Sequence, residues 1–412
     1  MAHTADVLVV GGGPAGATAA RALARTGARV RLLDRARFPR NKPCGGAISV
    51  RALQRFPHLA DALGRIQTHW VSRLYLESPG RDGLTLTSRA PAALMVRRVE
   101  FDAALLDLAR EAGVEVLEGI EVSRAEERQG LVRLGARDGR QFEASLLIAA
   151  DGVNSVIARR LGLNAGWPPA RVAIDMMEET PAETLRSVDP GTLWVAYGYG
   201  GSEGYAYVFP KARHVNVGLG YVLEWFRAHV GEAPYELQQR FVAVLRGRGV
   251  LDGDSSRAHF TPFLIPVGGP LPKTATRRVL LAGDAGGFVN GITAEGIYYA
   301  MVTGDLAGRA AATGTTGAYE RNWRREIGAE LRDAVLVQRH LLTTPERIDA
   351  VLRAARRAPG VADTLIRYAM GEVSYFAARR RVLLRSPLLA VRLLLEARRH
   401  GRPEGRHIGR PT

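Results

Sequence analysis

Residues 6–34, DVLVVGGGPAGATAARALARTGARVRLLD, constrain this chain most, because they hold every part of a βαβ nucleotide-binding unit in register. The apolar run Val7 to Val10 reads as a buried parallel strand. Gly11, Gly13 and Gly16 then fall on the G-x-G-x-x-G spacing, with Ala15 between the last two, at the mouth of an alanine-rich helix. Gly11 permits the tight turn, Gly13 admits a pyrophosphate close to the backbone, and Gly16 allows helix and strand to touch. Free N–H groups and partial positive charge at the helix start favour phosphate. A second apolar strand, Ala28 to Leu33, ends at Asp34, with Arg35 beside it. A carboxylate there accepts from both ribose hydroxyls of an adenosine, which favours FAD or NAD over NADP. The bland alternative is a tight turn without a ligand, and the ribose carboxylate in register argues against it. The stretch lacks the charged leading segment of a secretory signal.

With 412 residues, 46% of them hydrophobic, the chain has ample material for two domains, or for one large domain with an insertion and a helical tail. Cys44 is the sole cysteine, so an internal disulfide and a cysteine metal cluster are both excluded. This usage suits a reducing, cytoplasmic setting. The formal net charge of +16 raises nucleic acid, membrane and acidic metabolites as partners. Basic residues are spread along the chain without interleaved aromatics, so no nucleic-acid partner is expected. The exception is the segment from Phe376 to Arg399, which alternates short apolar runs with arginines. It reads either as a C-terminal helix packed on the protein or as a basic amphipathic segment in peripheral contact with the inner face of a membrane. Arg385 and Arg392 interrupt the apolar runs, which are too short to span a bilayer.

Two later segments repeat the strand-to-glycine design. Leu146 to Ala150 runs into Asp151-Gly152 and a helix that Asn154 or Ser155 would cap. Val279 to Ala282 runs into Gly283-Asp284, a glycine-rich turn, and a helix from about Glu295 that includes Gly296 and Ile297. One sheet assembled from distant pieces is implied. No second G-x-G-x-x-G follows a strand, so a separate nicotinamide domain is not expected.

The glycine fingerprint, the central Asp-Gly and the late Gly-Asp together resemble the flavoprotein superfamily of aromatic hydroxylases, flavin-dependent halogenases and geranylgeranyl reductases. The resemblance implies that Asp284 contacts the ribityl chain of FAD, that Asp151 and Gly152 close over the pyrophosphate, and that Arg98, opening R-x-x-F-D with Phe101 and Asp102, lies near the cofactor. Lys42-Pro43-Cys44-Gly45-Gly46 is similar to the loop that geranylgeranyl reductases lay against the isoalloxazine. GYAYVFPKARHVNVGLG resembles their Y-x-W-x-F-P and V-x-V-G-x-G pair, with Tyr205, Tyr207, Phe209 and Pro210 in matching places. Tyr207 replaces the usual tryptophan, and Asn290 to Gly296 departs from the reductase pattern. Both departures fall where a substrate cavity is expected.

The fold expected is α/β. A discontinuous Rossmann-like FAD-binding domain (1–75, 93–162 and 275–325) would carry an inserted antiparallel β-sheet substrate domain (76–92 and 163–274). A basic C-terminal helical region (326–412) would follow. The resemblance implies reduction of isoprenoid double bonds. An unactivated alkene accepts hydride from reduced flavin only if one carbon is protonated, so an acid must stand beside an apolar tunnel. Aromatic faces would steady the developing tertiary cation. Cys44 and Tyr205 are the candidate catalytic groups, since an ordinary thiol is protonated near neutral pH. Tyr207, Phe209, Phe288 and Tyr298 are candidates for the substrate lining. Electrons would come from an external donor, NADPH or ferredoxin. The alternative is an FAD monooxygenase, either hydroxylase- or halogenase-like, acting on an aromatic or lipid substrate.

Overall fold

The computed structural model describes residues 3–385 apart from 82, 89–90, 201–203, 358 and 370–372. Val7–Val10 has no polar side chain to offer water, and it lies at the centre of a seven-stranded sheet. The His3–Val10 strand runs parallel to Val30–Asp34 on one side and to Gln141–Ala149 on the other, with Val9 opposite Leu32 and Ile148. Glu115–Glu118 and Val279–Leu281 extend the parallel part, while Leu131–Ala136 and Val122–Arg128 add an antiparallel edge. Parallel strands need both faces covered. The helices Pro14–Ala24, Arg98–Glu111 and Ile297–Ala312 bury one face, and the short helix Val156–Arg160 joins the packing on the other.

The three strand-to-glycine segments thus share one sheet although they lie far apart in the chain. The second strand starts at Val30 rather than Ala28, because Gly27 with φ +86° turns the chain out of the helix first. Ser155 caps the Val156–Arg160 helix by accepting from the Ala158 N–H at 2.9 Å, and the late helix begins at Ile297.

A second seven-stranded sheet faces the same cavity as the C-terminal strand ends of the first. Its order is Phe260–Ile265, Ala173–Pro181, His214–Val222, Gly204–Pro210, Thr192–Tyr197, Arg73–Glu77 and Gly83–Thr87. All its pairs are antiparallel except Thr192–Tyr197 with Arg73–Glu77. That parallel strand begins at Arg73, so the expected boundary after residue 75 cuts through it. One face of the sheet packs Trp194, Val208, Val217 and Leu219 on Leu237, Phe241 and Leu245 of the Pro234–Gly247 helix. The other face carries Val195, Tyr205, Tyr207, Phe209 and Phe263 towards the first sheet. A three-stranded sheet, Ala47–Ser49, Ala93–Val96 and Thr68–Val71, lies beside it. From Thr316 onward the described chain is helical, through Tyr375–Arg385. Most of the basic segment beyond Phe376 lies outside the described residues. Among the described residues no helix is long and apolar enough to cross a membrane.

Candidate active site

At the first turn the glycines are held by packing. Gly11 has φ +103°, and a Cβ on it would lie 2.2 Å from the Ala150 carbonyl oxygen; one on Gly16 would lie 1.8 Å from that of Gly11. Gly13 differs, since the nearest atom to its Cβ position is Arg40 Nη2 at 3.6 Å. The loop is therefore open at Gly13, under a guanidinium. No side chain caps the Pro14–Ala24 helix, whose first N–H groups remain available to an anion. Asp34 is buried and accepts from the Gly12 N–H at 2.6 Å and the Ala36 N–H at 2.7 Å, which fixes its carboxylate at the end of the strand.

A second helix start reaches the same place. The Ile297–Ala312 helix crosses Pro14–Ala24 backbone to backbone, because Gly304 and Gly308 present no Cβ: one would lie 2.2 Å from Ala15 O and 2.9 Å from Ala19 O respectively. Gly296 leaves this helix uncapped, with Asp284 Oδ1 3.5 Å from where its Cβ would be. Gly283, at φ +60°, brings the Gly-Asp turn against Ala15.

Arg98 is buried and bonds both oxygens of Asp102, at 2.6 and 2.7 Å. Burial opposes its charge, but Asp102 and the Cys44 thiol more than compensate and hold its pKa above the ordinary value. Arg40 reaches the same carboxylate at 3.1 Å and lies over the Phe38 ring. Its Nη1 is buried with no hydrogen-bond partner. An orphaned guanidinium nitrogen over an open glycine loop at a helix start is what a pyrophosphate would satisfy, so these residues fit FAD.

The Cys44 loop is clamped against the second sheet. A Cβ on Gly45 would lie 2.6 Å from the Phe209 ring, and Gly46, at φ +76°, would meet Val96 O at 2.1 Å. The Gly46 N–H points at Cys44 Sγ at 3.4 Å. The buried Lys211 ammonium donates to Cys44 O at 3.3 Å and pairs closely with Glu179, which also accepts from Arg97 at 2.7 Å. Burial alone would push the Glu179 carboxyl up; Lys211 and Arg97 outweigh it and hold it below the usual range.

On the cavity face of the sheet, Tyr197, Tyr205, Tyr207 and Phe209 form a continuous aromatic series, with successive ring centroids 5.7, 5.4 and 4.7 Å apart. The V-G-L-G pattern explains how they lie down. Gly218 pairs with Tyr207 and Gly220 with Tyr205, and a Cβ on Gly218 would lie 2.5 Å from the Tyr207 ring. The rings thus fold across a bare strand. The Tyr207 hydroxyl reaches one strand further and donates to Asp175 Oδ2 at 3.0 Å. Burial pushes the Tyr205 and Tyr207 phenols well above their ordinary pKa, so both keep their protons. Lys42 lies over the Phe263 ring at 4.2 Å; burial pulls its pKa down while Asp284 pulls the other way.

These parts line one cavity of about 2380 Å³. It receives Gly11, Gly13, Ala15, Asp34, Arg35, Arg98, Asp284, Gly296 and Ile297 at the nucleotide end, Cys44, Gly45 and Gly46 in the middle, and Tyr205, Tyr207 and Phe209 on the sheet. Gly16 lies inside the packing behind the wall. Asp151 and Gly152 line the cavity, but the Asp151 carboxylate is engaged as a cap, accepting from the Ser155 hydroxyl at 2.6 Å and the Ile157 N–H at 3.2 Å. Two expectations need correction. Phe288 is fully buried edge-to-face on Trp323, because the glycine turn before it directs the ring into the helical core. Tyr298 lies under the Arg51 guanidinium at 4.0 Å and does not face the cavity. The sequence reading missed Arg40 and Asp175; the far wall is formed by Val337, Leu341, Val351 and Leu383 of the C-terminal helices.

The fold and the glycine cradle define a flavoprotein oxidoreductase, and residues 4–252 match the family model described as an FAD binding domain. The chain is 31% identical over 375 residues to digeranylgeranylglycerophospholipid reductase 2 of Methanothermobacter thermautotrophicus, covering 85% of this chain and 91% of that one. It is 30% identical to the menaquinone reductase of Mycobacterium tuberculosis, covering 74% and 76%. A geranylgeranyl bacteriochlorophyll reductase-like protein of Thermoplasma acidophilum has the same fold, with a TM-score of 0.78 at 21% identity over 97% and 99% of the two chains. The chain belongs to the geranylgeranyl reductase family of FAD-dependent oxidoreductases.

Proposed function

We propose that the protein hydrogenates carbon–carbon double bonds of a long isoprenoid chain, with FAD in the glycine cradle. The observation that carries this reading is the single cavity running from Gly13 to Leu383. At about 2380 Å³ it exceeds an ordinary ligand pocket of roughly 300–1,000 Å³ more than twofold, which leaves room for an extended apolar chain beside a dinucleotide. The relatives named for digeranylgeranyl lipid and menaquinone reduction favour a prenyl lipid or a quinone side chain, with a prenyl diphosphate as a shorter candidate.

Bound reduced FAD would supply hydride. The protein's own part is to hold cofactor and alkene together, to exclude water and to manage the proton and the cation. Arg40 and the two helix starts would hold the pyrophosphate, Asp34 the adenosine ribose and Asp284 the ribityl chain. Cys44, fixed by Gly46 and Lys211, would position the alkene at the flavin face. Tyr205, Tyr207 and Phe209 would offer their ring faces to the carbon that becomes positive. Because burial makes Tyr205 a poorer acid, its contribution is the ring. An external donor, NADPH or ferredoxin, would recharge the flavin. The basic C-terminal segment would rest on the cytoplasmic face of the membrane that supplies the lipid.

The test is mass spectrometry of geranylgeranyl diphosphate and a polyprenyl-quinone mixture after anaerobic incubation with dithionite-reduced holoprotein, alongside an aerobic sample. Gain of hydrogen pairs without oxygen is expected. Unchanged prenyl chains, with oxygen incorporated only in air, would instead establish a monooxygenase.

A further inference from the structure

Hydride alone does not reduce an isolated double bond, and most carboxyl groups on the cavity wall are already engaged. Asp34 holds two backbone N–H groups, Asp151 caps a helix, Glu295 and Glu330 pair with Arg51, and Asp333 pairs with Arg379. Among the described residues Asp284, also without a side-chain partner, lies at the nucleotide end and is assigned to the ribityl chain; Asp175 is the exception at the sheet end. It lies on the aromatic face of the second sheet, 5% exposed, and lines the cavity between Phe263 and Gly220, its partners in register. Tyr207 holds Oδ2, whereas Oδ1 is buried without any hydrogen-bond partner, over Gly220 at 3.7 Å from where a Cβ would be.

An unpartnered carboxylate oxygen in an apolar wall is costly, and a proton on it removes the charge. We propose that Asp175 is the acid that protonates the substrate double bond, with Tyr207 as the residue that positions it; this rests on the reductase reading above. The Oδ1–H bond breaks, and its proton forms a C–H bond at one alkene carbon as the π bond opens. The other carbon would take the hydride that bound reduced FAD would supply, so the two electrons the alkene gains are those the flavin would lose. The carboxylate left behind keeps the Tyr207 O–H, faces the Lys42 charge, and regains its proton from water once product has left.

The surroundings agree with this role. Burial pushes the Asp175 carboxyl up to about 7, against the pull of the Tyr207 hydrogen bond and of Lys42. From the tyrosine strand, Tyr205 and Tyr207 face it; from the Cys44 loop, Lys42 and Cys44 act on the same group of side chains; the two flanking strands contribute uncharged Gly220 and Phe263.

The experiment compares wild type, D175N, D175E and Y207F as holoproteins matched for bound FAD. Single-turnover reduction of geranylgeranyl diphosphate and polyprenyl quinone is followed from pH 5 to 9. Wild-type turnover should fall as pH rises through about 7, where the acid loses its proton. D175N should lose about 10²-fold or more in rate, together with the pH limb, and D175E should recover part of both. Y207F should retain the limb at higher pH, because it removes a hydrogen bond that favours the carboxylate. Infrared difference spectra should show a protonated-carboxyl band at pH 6 that is absent at pH 9 and in D175N. Wild-type rates and limb in D175N, or no such band in the wild type, would overturn the assignment. A wild type that reduces no prenyl chain refutes the reductase reading itself, and the assignment falls with it.

Discussion

At the nucleotide end the cavity wall is backbone: Gly11, Gly13 and Gly283 bring the main chain close, and two uncapped helix starts face the same space. At the sheet end the wall is side chain, with tyrosine rings laid across Gly218 and Gly220 towards Asp175. A backbone site depends on the absence of Cβ atoms and tolerates almost no addition. A side-chain site depends on which residues meet across strands, so its chemistry can change while its frame persists. The two ends should therefore fail differently, in cofactor binding at one and in proton chemistry at the other.

The harshest test of that contrast is G16V, whose side chain would drive into the Gly11 carbonyl. A loss of about 4 kcal/mol or more in urea unfolding is expected, with no FAD retained on purification. K211M attacks the seam between the two ends, removing a buried ammonium from Glu179 and from the Cys44 carbonyl. It should cost about 3–5 kcal/mol in the same assay and leave FAD bound. R40A should be confined to the cofactor end: FAD affinity measured by fluorescence quenching should fall by about 1.5–3 kcal/mol, roughly 10- to 150-fold, with little change in unfolding.

The smallest effect sharpens the sheet end. The folded Asp175 pKa is raised from 3.8 to about 7, so between these values the native state binds more protons than the unfolded chain. Asp175 therefore costs no stability below about pH 4, an increasing amount as pH rises through this window, and its full cost above about 7. D175N should melt with the wild type at pH 4 and roughly 2–4 °C above it at pH 8 by differential scanning calorimetry. Equal melting at both pH values would mean that the carboxyl is not buried as described.

The same contrast decides what could be read from the sequence. Gly11, Gly13 and Gly16 announce themselves because their constraints act within a few residues, and the strand, turn and helix follow at the expected places. Asp175 is hidden in AIDMMEET, where a lone aspartate in a strand reads as a solvated face. Only the register, with Gly220 beside it and Tyr207 reaching over, turns it inward. Arg40 escapes for a similar reason, since its place over Gly13 depends on how the Phe38-Pro39 turn folds back. Phe288 and Tyr298 are aromatic residues next to a glycine-rich turn and a helix start, and sequence alone does not say which way their rings point. Their directions are set instead by Trp323 and Arg51, which lie far away in the chain.

The parallel pairing of Arg73–Glu77 with Thr192–Tyr197 has a consequence for how the protein is made. The first of these strands leaves the ribosome more than a hundred residues before its partner, a wait on the order of ten seconds at ordinary translation rates. During that interval its edge and the apolar face of its hairpin have no native neighbour on that side. Such late, long-range closure slows folding, because the Arg73–Glu77 strand cannot complete its sheet until its partner has been made.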